Sequence, residues 1–152
     1  MLVDNFEALV DCLSWNEDPA RQNEAIALLV AAGDRLDLFL ILRKGDKSRW
    51  QNEARVLVLL GYPRFRGVIP EMMEWLQDLN WPGSSEIIQA FASMAKDELA
   101  GHISMAVQRA LAARDTDWLF GLRHLACESS LAAELFVDEE IRTALFDEEE
   151  DS

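Results

Sequence analysis

The run Trp75-Leu76-Gln77-Asp78-Leu79-Asn80-Trp81-Pro82 constrains the fold of this chain more than any other stretch. Upstream of it, Ile69, Met72, Met73 and Leu76 fall at i, i+3, i+4 and i+7, one stripe of a helix. Pro70 falls in the first turn of that helix, where its missing N–H costs nothing. Asp78 and Asn80 are residues that leave one helix and cap the next, because their short side chains bond nearby backbone N–H groups. Pro82 disfavours helix in the residue before it and is tolerated in an opening turn. Ile87, Ile88, Phe91 and Met94 then form a second helical stripe. The junction therefore reads as a corner between two antiparallel helices, with two tryptophans supplying enough area to set their angle. A second reading makes Trp75, Asp78, Asn80 and Trp81 part of a contact surface as well.

The remaining segments also read as helices. Phe6, Leu9, Val10 and Leu13 form a stripe after a candidate cap at Asp4. Asp18-Pro19 opens a second helix that Gly33 closes. A short third carries Leu36, Phe39, Leu40 and Arg43 and ends at Gly45. Ser48 caps a fourth, with Trp50, Ala54, Leu57, Val58 and Gly61 on one face. After the corner come a long helix through Leu99, Ile103 and Val107, and another capped by Thr116 or Asp117. Two short helices are expected over 131–136 and 139–146. No alternating strand pattern and no Asn-Gly hairpin signal occurs.

The helices repeat. Gln22-Asn23-Glu24-Ala25 recurs 29 residues later as Gln51-Asn52-Glu53-Ala54, and each copy runs through apolar residues into a glycine, Gly33 or Gly61. Weaker copies begin at Ser85 and Asp117. Helix pairs at intervals of roughly 30 residues predict a stack in which each pair buries its apolar face against its neighbours. An irregular all-α domain is the alternative.

Paired helices with an Asp-Pro opening look like HEAT repeats. Over about residues 60–127, the chain resembles an uncharacterised bacterial HEAT-like helical repeat family marked by the pattern W-L-Q-D-x-N-W-P. Trp75, Gln77, Asp78, Asn80, Trp81 and Pro82 carry the match, with Leu79 in the variable slot, and Asp117-Trp118 matches the family's opening of its last helix. Gly83 and Ser84 stand where the pattern has aliphatic residues, so the packing there is expected to differ. The resemblance implies an α-solenoid of bacterial origin and no catalytic residue. The expected fold is all-α, a HEAT-like α-α superhelix of about four to five helix pairs over 1–146. An acidic disordered tail is expected over 147–152.

Charge is the second informative feature. Of the net −14, residues 1–42 carry −6 and residues 128–152 carry −9, whereas residues 43–66 carry +5. The basic segment holds Arg43, Lys44, Lys47, Arg49, Arg55, Arg64 and Arg66, interleaved with Trp50, Tyr62 and Phe65. Basic residues among aromatics suit nucleic acid, but the acidic remainder repels it, so nucleic acid is not the expected partner. The segment is expected to pair with acidic helices or to rim a protein-binding face. No apolar run approaches the roughly 20 residues of a membrane span, so no membrane partner is expected. The opening seven residues lack the basic start of a secretory signal, and Cys12 and Cys127 read as small buried residues of a cytoplasmic protein.

Chemistry is sparse. His102 and His124 have no metal-ligand spacing, no CxxC or HExxH occurs, and no glycine-rich phosphate loop is present. Glu71/Glu74 and Asp97/Glu98 read as solvated helix faces. No cofactor, metal or catalytic residue is expected. Candidate partner-binding residues are Arg21, Glu24, Asn52, Arg55, Gln89 and Arg123 on the helices opening near Pro19, Ser48, Trp81 and Thr116, together with the corner residues Trp75, Asp78, Asn80 and Trp81. Small size, absent catalytic constellations and strong negative charge lead to one expected function. It is a non-enzymatic immunity protein that captures a basic toxin domain, its encounter sped by opposite charge. A general protein-binding scaffold or adaptor is the alternative, and a nucleic-acid-associated repeat protein a third.

Overall fold

The computed structural model describes residues 5–147; the expected cap at Asp4 and the acidic residues 148–152 lie outside them. Eight α-helices follow one another among the described residues, with no strand: α1 Phe6–Asp11, α2 Pro19–Ala32, α3 Trp50–Leu60, α4 Ile69–Glu74, α5 Ser84–Phe91, α6 Lys96–Ala113, α7 Thr116–Glu128 and α8 Glu139–Phe146. Among the described residues no helix is long and apolar enough to cross a membrane.

Local chemistry accounts for most boundaries. Asn5 caps α1 by accepting from the Ala8 N–H. Pro19 sits in the first turn of α2, and Gly33 ends it at φ 57°. Asp138 accepts from the Glu140 and Ile141 N–H groups at the start of α8. Three expectations shift. The carboxylate that caps α7 is Asp115, which accepts from the Trp118 N–H at 3.0 Å, one residue before the expected cap. Asp46 rather than Ser48 begins the turn into α3, because its side chain accepts from both the N–H and the hydroxyl of Ser48. The expected third helix is replaced by two 3-10 turns, Gly33–Arg35 and Leu38–Ile41. Asp37 caps the second of these, and Arg43 at φ 63° prevents any continuation.

Helices α2, α3 and α5 lie side by side, α4 packs on α6, and α7 packs on α6, α8 and the 3-10 turn Trp75–Gln77. One apolar core runs from Val10 to Leu145, and Trp75, Phe65, Phe91 and Phe136 are its largest fully buried side chains. Helix α3 is enclosed on most sides: Asn52, Glu53, Ala54, Val56 and Leu57 are buried, while only Arg55 and Leu59 are exposed. Helix α7 comes so close to the corner that a Cβ on Gly121 would overlap the Leu76 carbonyl oxygen. Of the two free cysteines, Cys12 is half-buried and Cys127 is exposed, so the expected burial fails for Cys127.

Candidate functional site

The corner is built as a bracket. The Trp75 indole N–H donates to the Pro82 carbonyl at 2.9 Å, closing the turn across its own span. Asp78 accepts from the Asn80 N–H at 2.8 Å, and the Ser84 hydroxyl lies within bonding distance of the Trp75 and Asp78 carbonyls. Pro82 stays in the turn, and α5 begins at Ser84 after Gly83, whose left-handed φ of 93° turns the chain. A side chain at Gly83 would meet the Trp50 carbonyl at 2.9 Å and the Trp75 ring at 3.0 Å, so glycine is required for space as well as for conformation. This is the physical reason that an aliphatic residue does not follow Pro82 here.

The bracket closes on an arginine from the basic segment. The Arg43 guanidinium lies 5.1 Å from the centre of the Trp81 ring, 5.9 Å from Trp75 and 6.0 Å from Trp50. Trp50 and Trp81 meet edge to face at 5.6 Å. Arg43 faces Glu74 at 3.5 Å, and the other Glu74 oxygen accepts from Arg109 at 2.7 Å. Arg109 in turn lies over Trp118, whose indole N–H donates to the Met73 carbonyl at 3.0 Å. One carboxylate thus joins two guanidiniums, and four tryptophans hold them. Burial pulls the Arg43 pKa down, against the raising effect of Glu74 and Glu53. Arg43 Nε and Trp50 Nε1 are buried without a hydrogen-bond partner, so the guanidinium is held by ring faces and Glu74 rather than by a full set of acceptors.

Glu53 fixes the backbone of this arginine. Its carboxylate is fully buried and accepts from the Arg43 N–H at 2.8 Å and from Arg49 at 3.3 Å, while Arg49 also reaches Asp11 at 2.9 Å. Burial pushes the Glu53 carboxyl up to about 7, although its bonds to Arg43, Arg49 and Lys44 favour the ionised form. Two more arginines of the basic segment are engaged in ion pairs, whereas Lys44, Lys47 and Arg55 are exposed. Arg64 donates to the Gly33 and Leu36 carbonyls and pairs with Asp34, and Arg66 pairs with Glu98 and bonds Tyr62.

The structure separates the sequence-derived candidates. Trp75 is wholly buried and offers no contact surface; it is the centre of the corner. Asn52 is also buried, donating to the Leu13 carbonyl at 2.8 Å and to Gln22 at 2.9 Å, so it ties α3 to α2 instead of facing outward. Trp81 and Asp78 are half-buried and Asn80 is exposed. Arg21, Glu24, Arg55 and Gln89 are exposed on α2, α3 and α5, with Arg21 facing Glu17 at 3.6 Å and Arg55 bonding Asn52. Arg123 lies on α7 away from them, donating to the Asp147 carbonyl at 2.6 Å. Sequence reasoning missed Glu53, Glu74, Arg109 and Trp118 as parts of one network. Glu53 stands in the repeated Gln-Asn-Glu-Ala run, but its counterpart Glu24 is exposed. No local pattern distinguishes the two.

Chemically, the exposed edge of the cluster presents half of Arg109 and part of Trp81, the side-chain types that dominate tight protein contacts. Among the described residues no group of three His, Cys, Asp or Glu side chains is placed to hold a metal ion. Fold and site together define an all-α domain whose packed helices are braced on a tryptophan-lined corner. Residues 43–151 match the domain of unknown function DUF5071, and the chain belongs to that family. The match begins at Arg43 itself and contains the whole Arg43–Glu74–Arg109 network. No curated protein and no solved structure matches the chain.

Proposed function

We propose that the chain is a non-catalytic protein-binding module, a HEAT-like solenoid acting as an immunity protein against a basic toxin domain of the same bacterium. The observation that carries this reading is the balance of charge left on the surface. Arg43, Arg49, Arg64 and Arg66 are paired with Glu74, Glu53, Asp34 and Glu98, and the remaining cations of the basic segment, Lys44, Lys47 and Arg55, are outnumbered by the exposed Glu24, Asp37, Asp117, Glu128, Glu139 and Glu140. The acidic excess therefore faces solvent, which favours a cationic protein and disfavours a polyanion. The resemblance to stacked helical repeats supports the same role, since such stacks offer extended surfaces for proteins.

Co-expression with the product of the neighbouring gene, followed by light scattering on the purified material, tests the proposal. A stoichiometric complex with a basic, growth-inhibiting neighbour, and rescue of growth by this chain, is the expected result. Absence of any such complex refutes it. Binding only to non-toxic cellular proteins would assign the chain to the adaptor class.

A further inference from the structure

The end of the molecule formed by α7 and α8 carries an open groove of about 500 Å3 that the tryptophan network does not use. Its apolar wall is Leu111, Leu119, Phe120 and Ala144. Phe120 is 61% exposed, because α7 turns Trp118 and Leu122 inward and leaves the position between them facing out. A second groove of about 310 Å3 continues from it across Leu111 and Glu140 to Asp138. An exposed phenylalanine in a concave, apolar setting gains most from being covered.

The rim fixes the charge of what covers it. Glu140, Asp138 and Asp147 line the two grooves. Arg123, the cation of the larger groove, donates to the Asp147 backbone carbonyl at 2.6 Å and keeps its charge, so the rim sets three carboxylates against one guanidinium; Arg142 on α8 lines neither groove and donates to the Phe136 carbonyl at 2.7 Å. An acidic occupant would meet like charge along this rim, whereas a cationic one would meet opposite charge around an apolar floor.

We propose that the α7–α8 groove receives a basic segment of a partner protein. One large apolar side chain of that segment packs beside Phe120, and flanking Lys or Arg residues pair with Glu140 and Asp138. The inference rests on the reading of this chain as a binder of basic proteins and assigns that role to one surface.

The test titrates the full chain, isotope-labelled for NMR, with a synthetic peptide in which Leu-Trp is flanked by lysine pairs. A counterpart with glutamates in place of the lysines serves as control. The expected result is salt-sensitive binding of the lysine peptide, with amide shifts confined to α7, α8 and the end of α6. Phe120→Ser and Glu140→Gln, both at exposed positions, should each weaken it, the first by about tenfold or more, with little change in melting temperature. Equal binding of the glutamate peptide, shifts spread over other helices, or no loss in the two variants would overturn the proposal. A concentration-dependent dimer abolished by Phe120→Ser would also overturn it, giving the groove to a second copy of the chain. If the complex with the toxic neighbour forms undiminished in both variants, the groove assignment fails while the immunity reading stands. If no such complex forms with the unaltered chain, the immunity reading fails, and the peptide titration decides the groove by itself.

Discussion

Glycine-to-alanine substitution at two helical positions should have opposite effects, and the difference measures how tightly α7 is set against the corner. Gly101 lies in α6, is exposed, and has nothing within 4 Å of where a Cβ would stand. Gly121 lies in α7, is buried, and its Cβ would overlap the Leu76 carbonyl oxygen and lie 3.1 Å from the carbonyl carbon. At both sites alanine gains about 0.8–1 kcal/mol of helix propensity, chiefly by restricting the unfolded chain. Gly101→Ala should therefore stabilise by roughly that amount. Gly121→Ala must in addition force apart a helix and a backbone carbonyl that no rotamer change can move, an overpacking cost of about 1–3 kcal/mol or more. Subtracting the two variants cancels propensity and leaves the packing cost alone. Urea unfolding followed by tryptophan fluorescence supplies the numbers, read as a shift in midpoint at constant slope. Equal stabilisation by both substitutions would refute the close approach of α7 to Leu76, and with it the placement of Trp118 beside Arg109.

Three further outcomes follow from the cluster and its surroundings. Burial raises the Glu53 carboxyl from 4.5 to about 7, so the folded state holds that proton more tightly. The associated stability is fully present below the unfolded pKa and is lost as pH rises through the folded one, by about 3 kcal/mol at 1.36 kcal/mol per unit. Urea titrations from about pH 5 to about pH 8 should show the wild type losing stability relative to Glu53→Gln, and parallel curves would contradict the burial argument. Glu74→Ala strands both Arg43 and Arg109 and should cost about 1–3 kcal/mol, whereas Arg43→Met leaves Glu74 with Arg109 and should cost less; the reverse order in chemical denaturation would refute the shared-carboxylate account. Gln89→Ala should change stability by under about 0.5 kcal/mol, so any loss of partner capture it causes reads as a contact effect; Arg55→Ala also removes a donor from the buried Asn52 and should cost more, and equal melting of the two variants would contradict that bond.

The helices were legible where local chemistry sets them, and the network was not, because it depends on neighbours far along the chain. Pro19, Gly33 and the apolar stripe before Trp75 mark their elements by rules that act within one turn. The two Gln-Asn-Glu-Ala copies show the opposite case. Both alanines are buried, but Asn52 and Glu53 are enclosed while Asn23 and Glu24 are exposed, since α3 has α2 on one side and α5 on the other. Identical residues thus differ only in what flanks their helix, since the second neighbour of α2 is the six-residue α1. The contact surface expected of Trp75 failed for a related reason. An aromatic at a helix exit reads equally as wall or as face until the residues that cover it are known. Arg43 was the least legible, because its left-handed backbone is not marked by glycine and is held by a carboxylate on the next helix.

That arrangement gives the arginine a reason to be inside. Desolvating a guanidinium among indole rings offsets much of what its pairing with Glu74 returns, so the network adds little net stability compared with an apolar plug. What it adds is geometry. The Arg43 N–H is fixed by α3, its guanidinium is fixed by Trp75 and Trp81 of the corner, and Glu74 passes the constraint to Arg109 of α6 and Trp118 of α7. A shift of any one helix breaks a directional contact, where a purely apolar interface would slide. The exposed side of α3 and the α7–α8 groove therefore sit on helices whose relative positions are set from within. A surface held in place before binding loses less conformational freedom when a partner arrives. For the proposed capture of a basic protein, such a surface would turn fast electrostatic encounter into tight binding, because it is already in register.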